Sequence, residues 1–128
     1  MRKSHPLAQC AEFSIDQFCE ARHLLVSFSG RPYGFVDEAS AAMGKARRVV
    51  MTVNQFFTAG QAVSKADLIT VLPEDFVTAT GVSEQLVVRE LPLPMPAVHI
   101  DALWHHDNEF DAAQQWLRAQ IKRASTAR

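Results

Sequence analysis

Polar side chains lie at the ends of two apolar runs of this sequence. Ser27 and Ser29 end the run HLLVSF, and Thr52, Asn54 and Gln55 end the run RVVMTV. The carboxyl ends of parallel strands share one edge of a sheet, and helix N-termini at that edge direct N–H donors at a bound anion. Hydroxyls and amides in such a place recognise a ligand by hydrogen bonding. The spacing therefore predicts binding of a polar or anionic small molecule.

A pair of phenylalanines follows the second run, and one of them is expected to form a wall of the pocket. Phe56 is taken as that wall, while Phe57 is expected in the core of the next helix. The simpler alternative is that Asn54 only caps this helix and that the serines only form turns. The candidate ligand-binding residues are thus Ser27, Ser29, Thr52, Asn54, Gln55 and Phe56.

Signatures of catalysis are absent from the sequence, which has no GxGxxG, phosphate loop, GxSxG or HExxH. Of the histidines, His99, His105 and His106 form a cluster, but adjacent strand residues point to opposite faces and cannot readily share one ion. The sequence therefore predicts no catalytic residues, no metal and no cofactor. A small α/β enzyme with an unrecognised reactive pair remains an alternative.

The polar ends are positioned by apolar runs that alternate with helical segments. The runs 23–28, 48–53 and 68–72 predict three strands, and the second, almost wholly apolar, is expected at the centre of the sheet. The helices are predicted after the capping box Ser14–Gln17, over Phe35–Met43 before Gly44, after Asn54 with Gly60 weakening it, and at Pro73. This order predicts an α/β fold with a doubly wound, mostly parallel sheet.

The last third of the sequence has a different pattern. Strands are predicted over 85–91 and 97–104, separated by the proline-rich segment 92–96. A final helix is predicted with Asp107 or Asn108 as its cap. Its apolar stripe consists of Phe110, Ala113, Trp116, Leu117 and Ile121.

Composition limits the functional class. With 128 residues, 48% of them hydrophobic, the chain is expected to form one globular domain. A net charge of −1 provides no field that would hold the molecule on nucleic acid or an anionic membrane. Two cysteines without CxxC spacing, and no apolar run long enough to span a bilayer, predict a cytoplasmic protein with no membrane partner.

Taken in order, these elements resemble the C-terminal part of the effector-binding domain of LysR-type transcriptional regulators. The resemblance implies a plan similar to type II periplasmic binding proteins, in which two Rossmann-like α/β subdomains hold a small inducer between them. The matching segments are HPLA (5–8), LLVSFSG (24–30), GFVDEASAAMG (34–44), RRVVMTVNQFFTAG (47–60), DLITVLPEDF (67–76), VVRELPLPMP (87–96), and ALWH (102–105) followed by the WLR helix.

On this resemblance, residues 1–128 form a partial effector-binding domain. Residues 14–91 correspond to regulatory subdomain II, and 97–124 form the strand and helix that cross back toward subdomain I, which has no counterpart here. The winged helix-turn-helix also has no counterpart, so DNA is a partner only through a parent protein. The predicted function is inducer sensing, and a free-standing solute-binding protein is an alternative. The unpartnered C-terminal block predicts exposed apolar surface and self-association, as a dimer.

Overall fold

The computed structural model describes residues 1–97, 99 and 101–126. The chain divides into two compact units, Met1–Pro96 and Ala97–Arg128. The first unit contains α1 (Ile15–Glu20), β1 (Arg22–Val26), α2 (Phe35–Ala42), β2 (Arg48–Val53), α3 (Phe56–Lys65) and α4 (Glu74–Ala79), with short 3-10 turns at Pro6–Gln9 and Ser83–Gln85. The second contains a 3-10 turn at His106–Asn108 and α5 (Ala112–Thr126). Among the described residues, no helix has the length and apolar character needed to cross a membrane.

The sheet of the first unit is parallel. β1 pairs with β2 from Arg22 opposite Arg48 to Val26 opposite Val53. On its other side, β1 makes a parallel bridge to Ile69, whose N–H donates to the Arg22 carbonyl at 3.0 Å. The predicted doubly wound α/β class is confirmed, because all three segments run in the same direction in the order β2, β1, Ile69.

The position of β2 differs from the prediction. β1, and not β2, occupies the centre, since β1 alone has a neighbour on both sides within the described chain. As a result, Val50 and Met51 of β2 are 39% and 46% exposed. An apolar run indicates a strand, but it does not distinguish a strand covered on two faces from one at an edge.

Helices pack on both faces of the sheet and form two cores. On one face, Phe18 of α1 and Val36 of α2 cluster with Ile69. On the other face, Ala59 and Val63 of α3 cluster with Leu24, Leu68 and partly buried neighbours. Successive strand residues point to opposite faces, which explains how one short sheet supplies both cores.

A close helix contact explains the glycine inside α3. A Cβ built on Gly60 would lie 2.4 Å from the Thr80 Cβ, closer than two such atoms approach in proteins. Gly60 and Thr80 are both buried, so there is no room for either to move away. The sequence suggested only that Gly60 weakens the helix; the structure shows that it lets α3 lie against the end of α4.

A buried ion pair connects α2 to the start of β2. The Arg47 guanidinium donates through Nε to Asp37 Oδ1 and through Nη2 to Oδ2, both at 2.8 Å, and the Gly34 N–H also donates to Asp37 Oδ2. Burial alone would raise the pKa of Asp37, but the hydrogen bonds and charge of Arg47 lower it below its ordinary value. The pair is therefore ionised and connects the two elements.

A buried histidine lies in β1. His23 is fully buried, and its Nε2 donates to the Phe18 carbonyl at 2.6 Å. Burial lowers the pKa of His23 to about 4, although the hydrogen bond to Phe18 acts in the opposite direction. The imidazole is therefore neutral at pH 7.

Local predictions were confirmed at several helix ends. Ser14 and Gln17 form the predicted capping box of α1, and Gly44 ends α2 with φ of 68°. The N-cap residue of α3 is Gln55, so the prediction of Asn54 as the cap was wrong. Within the described chain, no side chain accepts a hydrogen bond from the N–H groups at this helix end. α5 begins after Asp111, whose carboxylate accepts from the Gln114 N–H, so the prediction of Asp107 or Asn108 as cap was also wrong.

Three predicted strands are shorter than expected or absent in the described residues. The run 68–72 forms one bridge at Ile69, and 85–91 forms one antiparallel bridge, from Leu86 to Arg2. In 97–104 none of the described residues is in a strand, and the predicted positions Val98 and Ile100 lie outside the described residues. β-branched composition favours extended backbone, but a strand requires a partner for its backbone groups.

Candidate functional site

The ends of β1 and β2 meet at one edge of the sheet, as the sequence predicted. The Ser27 N–H donates to the Val53 carbonyl at 2.7 Å, which joins the two ends directly. The Ser27 and Ser29 hydroxyls lie 3.4 Å apart, and the Arg31 N–H donates to Ser29 Oγ at 3.4 Å. This edge is the rim on which the polar side chains were expected.

A cavity of about 370 Å³ opens at this rim, within the size range of small-molecule sites. Three of the six predicted residues, Asn54, Gln55 and Phe56, lie in its wall. The remaining lining residues are Phe28, Phe57, Phe76 and Ala79. The cavity thus brings two amide side chains together with four aromatic rings.

Three of the four aromatic rings form a connected wall. Phe56 contacts Phe28 edge-on, with ring centroids 6.4 Å apart, and lies 4.6 Å from Phe76 at an angle of 36°. Phe28 is 81% exposed and Phe57 is 56% exposed. Large aromatic side chains at this exposure offer apolar area to a ligand, and they do not contribute to either core.

The polar part of the cavity is the beginning of α3. The Ala59 N–H donates to the Gln55 carbonyl, which leaves the N–H groups of residues 56–58 before the first helical bond at this end. A helix N-terminus carries partial positive charge, and no charged side chain lines the cavity in the described part of the chain. The arrangement suits a ligand with an anionic or polar group at the helix end and an apolar body against the rings.

The other three predicted residues flank this cavity. Ser27 and Ser29 lie on the neighbouring turn around Phe28, which does line it. Thr52 is half-buried in β2 and lies opposite Leu25 of β1. Its neighbour Val53 packs against the core formed with α3, and successive strand residues point to opposite faces. None of the three lines the cavity, and the structure places Thr52 on the opposite face of the sheet from that core.

Sequence reasoning missed three rings of the wall. Phe28 was read as the end of a strand, Phe57 as a core residue, and Phe76 was not singled out. Phe28 and Phe57 carried a signal, since Phe28 lies between Ser27 and Ser29 of the predicted rim and Phe57 directly follows the predicted wall residue Phe56. Nothing local marked Phe76, because α4 meets this rim only through the tertiary fold.

The histidine cluster shows no metal geometry. His105 Nδ1 accepts from the Asp107 N–H at 3.2 Å and so caps the short turn that follows. Within residues 1–97, 99 and 101–126, no group of three or more histidine, cysteine, aspartate or glutamate side chains is placed to hold a metal ion.

A comparison with protein families identifies the class of domain. The family model described as the LysR substrate binding domain matches residues 1–126. The chain belongs to this family. The resemblance drawn from the sequence motifs is thereby confirmed, and so is the α/β class of the domain.

Curated relatives of this LysR-family chain are transcriptional regulators and not enzymes, as the sequence predicted. The transcriptional activator NagR of Ralstonia sp is 31% identical over 117 residues, which are 91% of this chain and 38% of NagR. The transcriptional activator NahR of Pseudomonas putida is 26% identical, over 91% of this chain and 39% of NahR. The chain therefore spans about two fifths of the length of these relatives.

Solved structures agree with this assignment. The regulatory domain of MexT, a transcriptional activator in Pseudomonas aeruginosa, is 30% identical with a TM-score of 0.70, covering 86% of this chain and 55% of that one. A probable transcriptional regulator, PA0477 of the same organism, has a TM-score of 0.73 at 20% identity, covering 94% of this chain and 39% of that one, and shows the fold alone.

Proposed function

We propose that this chain is the inducer-sensing module of a LysR-type transcriptional regulator and that the aromatic cavity at the ends of β1 and β2 is its side of the inducer site. The observation that carries the proposal is the meeting of Asn54, Gln55 and the start of α3 with four phenylalanines around about 370 Å³. The inducer is a small molecule with a polar or anionic group and an apolar body. Its binding shifts the population of conformations and catalyses nothing.

The proposed ligand contacts keep all six predicted residues. Asn54, Gln55 and Phe56 contact the ligand from the cavity wall. Ser27 and Ser29 approach from the adjoining turn, and Thr52 offers its hydroxyl from the other face of β2. Substitution of a residue in the cavity wall should therefore raise the Kd of the isolated chain for its ligand more than substitution of a residue beside the cavity.

The organisation of the parent protein is also a proposal. Residues 14–91 act as regulatory subdomain II, and 97–124 return toward a second subdomain; the boundary between the compact units at Pro96 and Ala97 supports this division. DNA is bound only through a winged helix-turn-helix elsewhere in the parent, a proposal that the "HTH-type" names of the relatives support. The parent acts in the cytoplasm, where its DNA is.

A thermal-shift screen tests the sensing proposal. Carboxylates, aromatic acids and amino acids are added to the chain, and a true ligand raises the melting temperature increasingly as its concentration exceeds Kd. Asn54→Ala should weaken the response to any hit by about tenfold in Kd, as expected when one hydrogen bond to a charged group is lost. Asn108→Ala, an exposed amide in the C-terminal unit, is the matched control and should bind normally.

The alternatives predict other results. A free-standing solute-binding protein would bind its ligand tightly without any further subdomain, with Kd unaffected by fusion to the rest of a regulator. An α/β enzyme would convert a hit into product, and turnover would therefore contradict the sensor. A screen in which Asn54→Ala and Asn108→Ala respond alike to a hit would remove the aromatic cavity as the site.

We further propose that the chain self-associates as a dimer through its C-terminal unit. The supporting observation is the exposure of its large apolar side chains, including Leu103 at 94%, Phe110 at 85% and Trp116 at 65%. Light scattering at high micromolar concentration should give twice the monomer mass, and the double variant Leu117→Ser, Ile121→Ser should return it to the monomer. If the unsubstituted 128-residue chain is a monomer at that concentration, this proposal is contradicted.

A further inference from the structure

Two arginines lie side by side where the strands of the sheet begin. Arg22 is the first residue of β1 and Arg48 the first of β2, and the two are partners in the parallel register. Neighbouring strands lie about 4.8 Å apart, so the two side chains leave the backbone at adjacent positions. The aromatic cavity lies at the other ends of these strands. We name Arg22 and Arg48 the arginine pair.

Both side chains of the arginine pair point to the same face of the sheet. Leu24 packs in the core formed with α3, and alternation along β1 places Arg22 on that face as well. Arg48 shares the orientation of its partner, because the irregularity in strand pairing comes only after His23. Both arginines are exposed. Two guanidinium groups therefore share one small area of surface.

No carboxylate of the described chain neutralises the arginine pair. Among the described residues, neither guanidinium takes part in an ion pair or a hydrogen bond. Asp67, which lies at the same edge of the sheet, is engaged by Arg2 at 2.8 Å. Glu20 precedes β1 but forms no ion pair with Arg22 in this part of the chain. Like charges directly opposite each other on neighbouring strands are destabilising, so an anion at this place would stabilise the sheet.

The nearby helix adds positive charge at this edge. α3 begins at the rim of the aromatic cavity and ends at Lys65, on the face of the sheet to which the arginine pair points. The Ile69 N–H then donates to the Arg22 carbonyl, which brings the segment after α3 beside β1. Lys65 is exposed, and α3 contains no acidic residue. The side chains of α3 therefore provide no counter-charge to the pair.

The geometry of two adjacent guanidinium groups suits a phosphate group better than a carboxylate. Each guanidinium donates two parallel hydrogen bonds to a carboxylate or a phosphate. A carboxylate carries one charge, so it would leave one arginine without a counter-charge. A phosphate monoester carries about two negative charges at pH 7 and has three acceptor oxygens, which matches two arginines. Nucleic acid fits less well, since it requires an extended basic surface and the net charge of the chain is −1.

We propose that the arginine pair is a second small-ligand site, which binds a phosphate group with two negative charges. The group is inorganic phosphate or the terminal phosphate of a small metabolite. Its oxygens accept hydrogen bonds from both guanidinium groups, and its charge removes the repulsion between β1 and β2 at their first residues. The site is separate from the inducer cavity, at the opposite edge of the sheet, and does not depend on the function proposed for that cavity.

A titration of the 128-residue chain followed by NMR tests the charge of the ligand. The backbone amide and guanidinium signals of Arg22 and Arg48 are recorded with glycerol phosphate, inorganic phosphate and dimethyl phosphate, which carries a single charge. Sodium chloride keeps the ionic strength constant, because salt screens exposed charges. The Kd for dimethyl phosphate should be at least about tenfold higher than that for glycerol phosphate. Tighter binding of glycerol phosphate than of inorganic phosphate would assign the ligand to a phosphorylated metabolite, and equal binding to phosphate itself.

Substitutions test the arginine pair directly. Arg22→Gln and Arg48→Gln should each raise the Kd for glycerol phosphate about tenfold, as expected when a charged hydrogen-bond donor is lost. Arg123→Gln, at an exposed arginine of α5, is the charge-matched control and should bind normally. Without phosphate at low salt, Arg22→Gln should raise the melting temperature, because it removes a like-charged neighbour, and saturating glycerol phosphate should reverse this order.

Two results would overturn the proposal. The first is an equal Kd for glycerol phosphate in Arg22→Gln, Arg48→Gln and Arg123→Gln, which would show that binding does not involve the pair. The second is binding of a DNA duplex that is lost in Arg22→Gln while none of the small phosphates shifts the signals of the pair. That result would assign the pair to nucleic acid instead.

Discussion

The two compact units of this chain contrast in how they use apolar residues. In Met1–Pro96, side chains such as Phe18, Leu24 and Val63 are almost fully buried in two cores. In the described part of Ala97–Arg128, no residue is buried, and α5 exposes Trp116, Leu117 and Ile121. α5 carries an apolar stripe, as α3 does, so the pattern predicts a face that needs a partner and not the presence of that partner.

Polar contacts hold the C-terminal unit together instead. The Trp104 indole N–H donates to Glu109 at 2.6 Å, and the Arg118 guanidinium lies 4.5 Å from the Trp104 ring. Exposed contacts of this kind contribute little, typically below about 1 kcal/mol each. Stability to unfolding should therefore reside in Met1–Pro96, and substitutions can test whether it does.

The largest effect is expected at the buried ion pair. Asp37→Ala leaves the Arg47 guanidinium buried without its partner and should lower the free energy of unfolding by about 3–5 kcal/mol. Urea unfolding followed by far-UV circular dichroism measures it. The control is Asp16→Ala, which breaks the exposed pair between Asp16 and Lys45 and should change the midpoint little. Similar losses in the two variants would show that burial does not decide the strength of these pairs.

The next effect concerns pH. Because the pKa of His23 is about 4 in the folded chain and its ordinary value is 6.5, the unfolded chain binds the proton more readily. The contribution of His23 to the free energy of unfolding is fully present above about pH 6.5. It is lost as the pH drops toward 4, by about 3 kcal/mol in total. The pKa of Asp37 is lowered from its ordinary value of 3.8. Protonation of Asp37 therefore reduces the free energy of unfolding only below about pH 3.8, outside this window.

The substitution His23→Phe replaces the imidazole with an aromatic ring that cannot be protonated. The variant should lose most of the slope of unfolding free energy between pH 6.5 and 4, although its stability at pH 7 falls because the Phe18 carbonyl loses a donor. His5 also has its pKa lowered by burial, so His5→Gln measures the residual slope. An unchanged slope in His23→Phe would contradict the burial of a neutral imidazole.

A matched pair compares the two apolar faces directly. Val63→Ala in α3 removes two methyl groups from a fully buried position and should cost roughly 2 kcal/mol. Leu117→Ala in α5 removes a larger group from a side chain that is 47% exposed, and should leave the unfolding midpoint within error at concentrations where the chain is monomeric. If Leu117→Ala were the more harmful of the two, the contrast between the units would fail.

The smallest effect tests the contact between α3 and α4. Gly60→Ala gains about 1 kcal/mol of helix propensity but places a Cβ 2.4 Å from the Thr80 Cβ, so the net loss should be about 1 kcal/mol. Thr58→Ala, exposed in the same helix, should be neutral or slightly stabilising. A rise in stability for Gly60→Ala would show that the two helices can separate at no cost.

Local chemistry predicted the elements well. The β2 bounds of Arg48–Val53 and the end of α2 before Gly44 were predicted from the sequence, because a β-branched run and a glycine in the left-handed region depend on near neighbours. Which strand is central depends on pairing across the chain, and β2 was placed wrongly for that reason. The 68–72 run failed as a full strand for the same reason, since in the described residues it has a strand partner only on the β1 side and only at Ile69.

The candidate site was predictable in part. Asn54, Gln55 and Phe56 were found because the residue after a parallel strand lies at the ligand-binding edge whatever the packing. Phe57 was assigned to the core because helix periodicity gives the spacing of a face but not its direction. Phe76 comes from another helix and reaches Phe56 only through tertiary structure, a contact that no local pattern contains.

Both tryptophans of the chain, Trp104 and Trp116, lie in the C-terminal unit. Tryptophan fluorescence, excited at a wavelength that Tyr33 does not absorb, therefore reports on the segment after Pro96 and is silent about the sheet and its aromatic cavity. Quenching of Trp104 by its cationic neighbour would turn that signal into a sensor of the C-terminal unit, so an emission change that precedes the loss of ellipticity would reveal the two units melting separately.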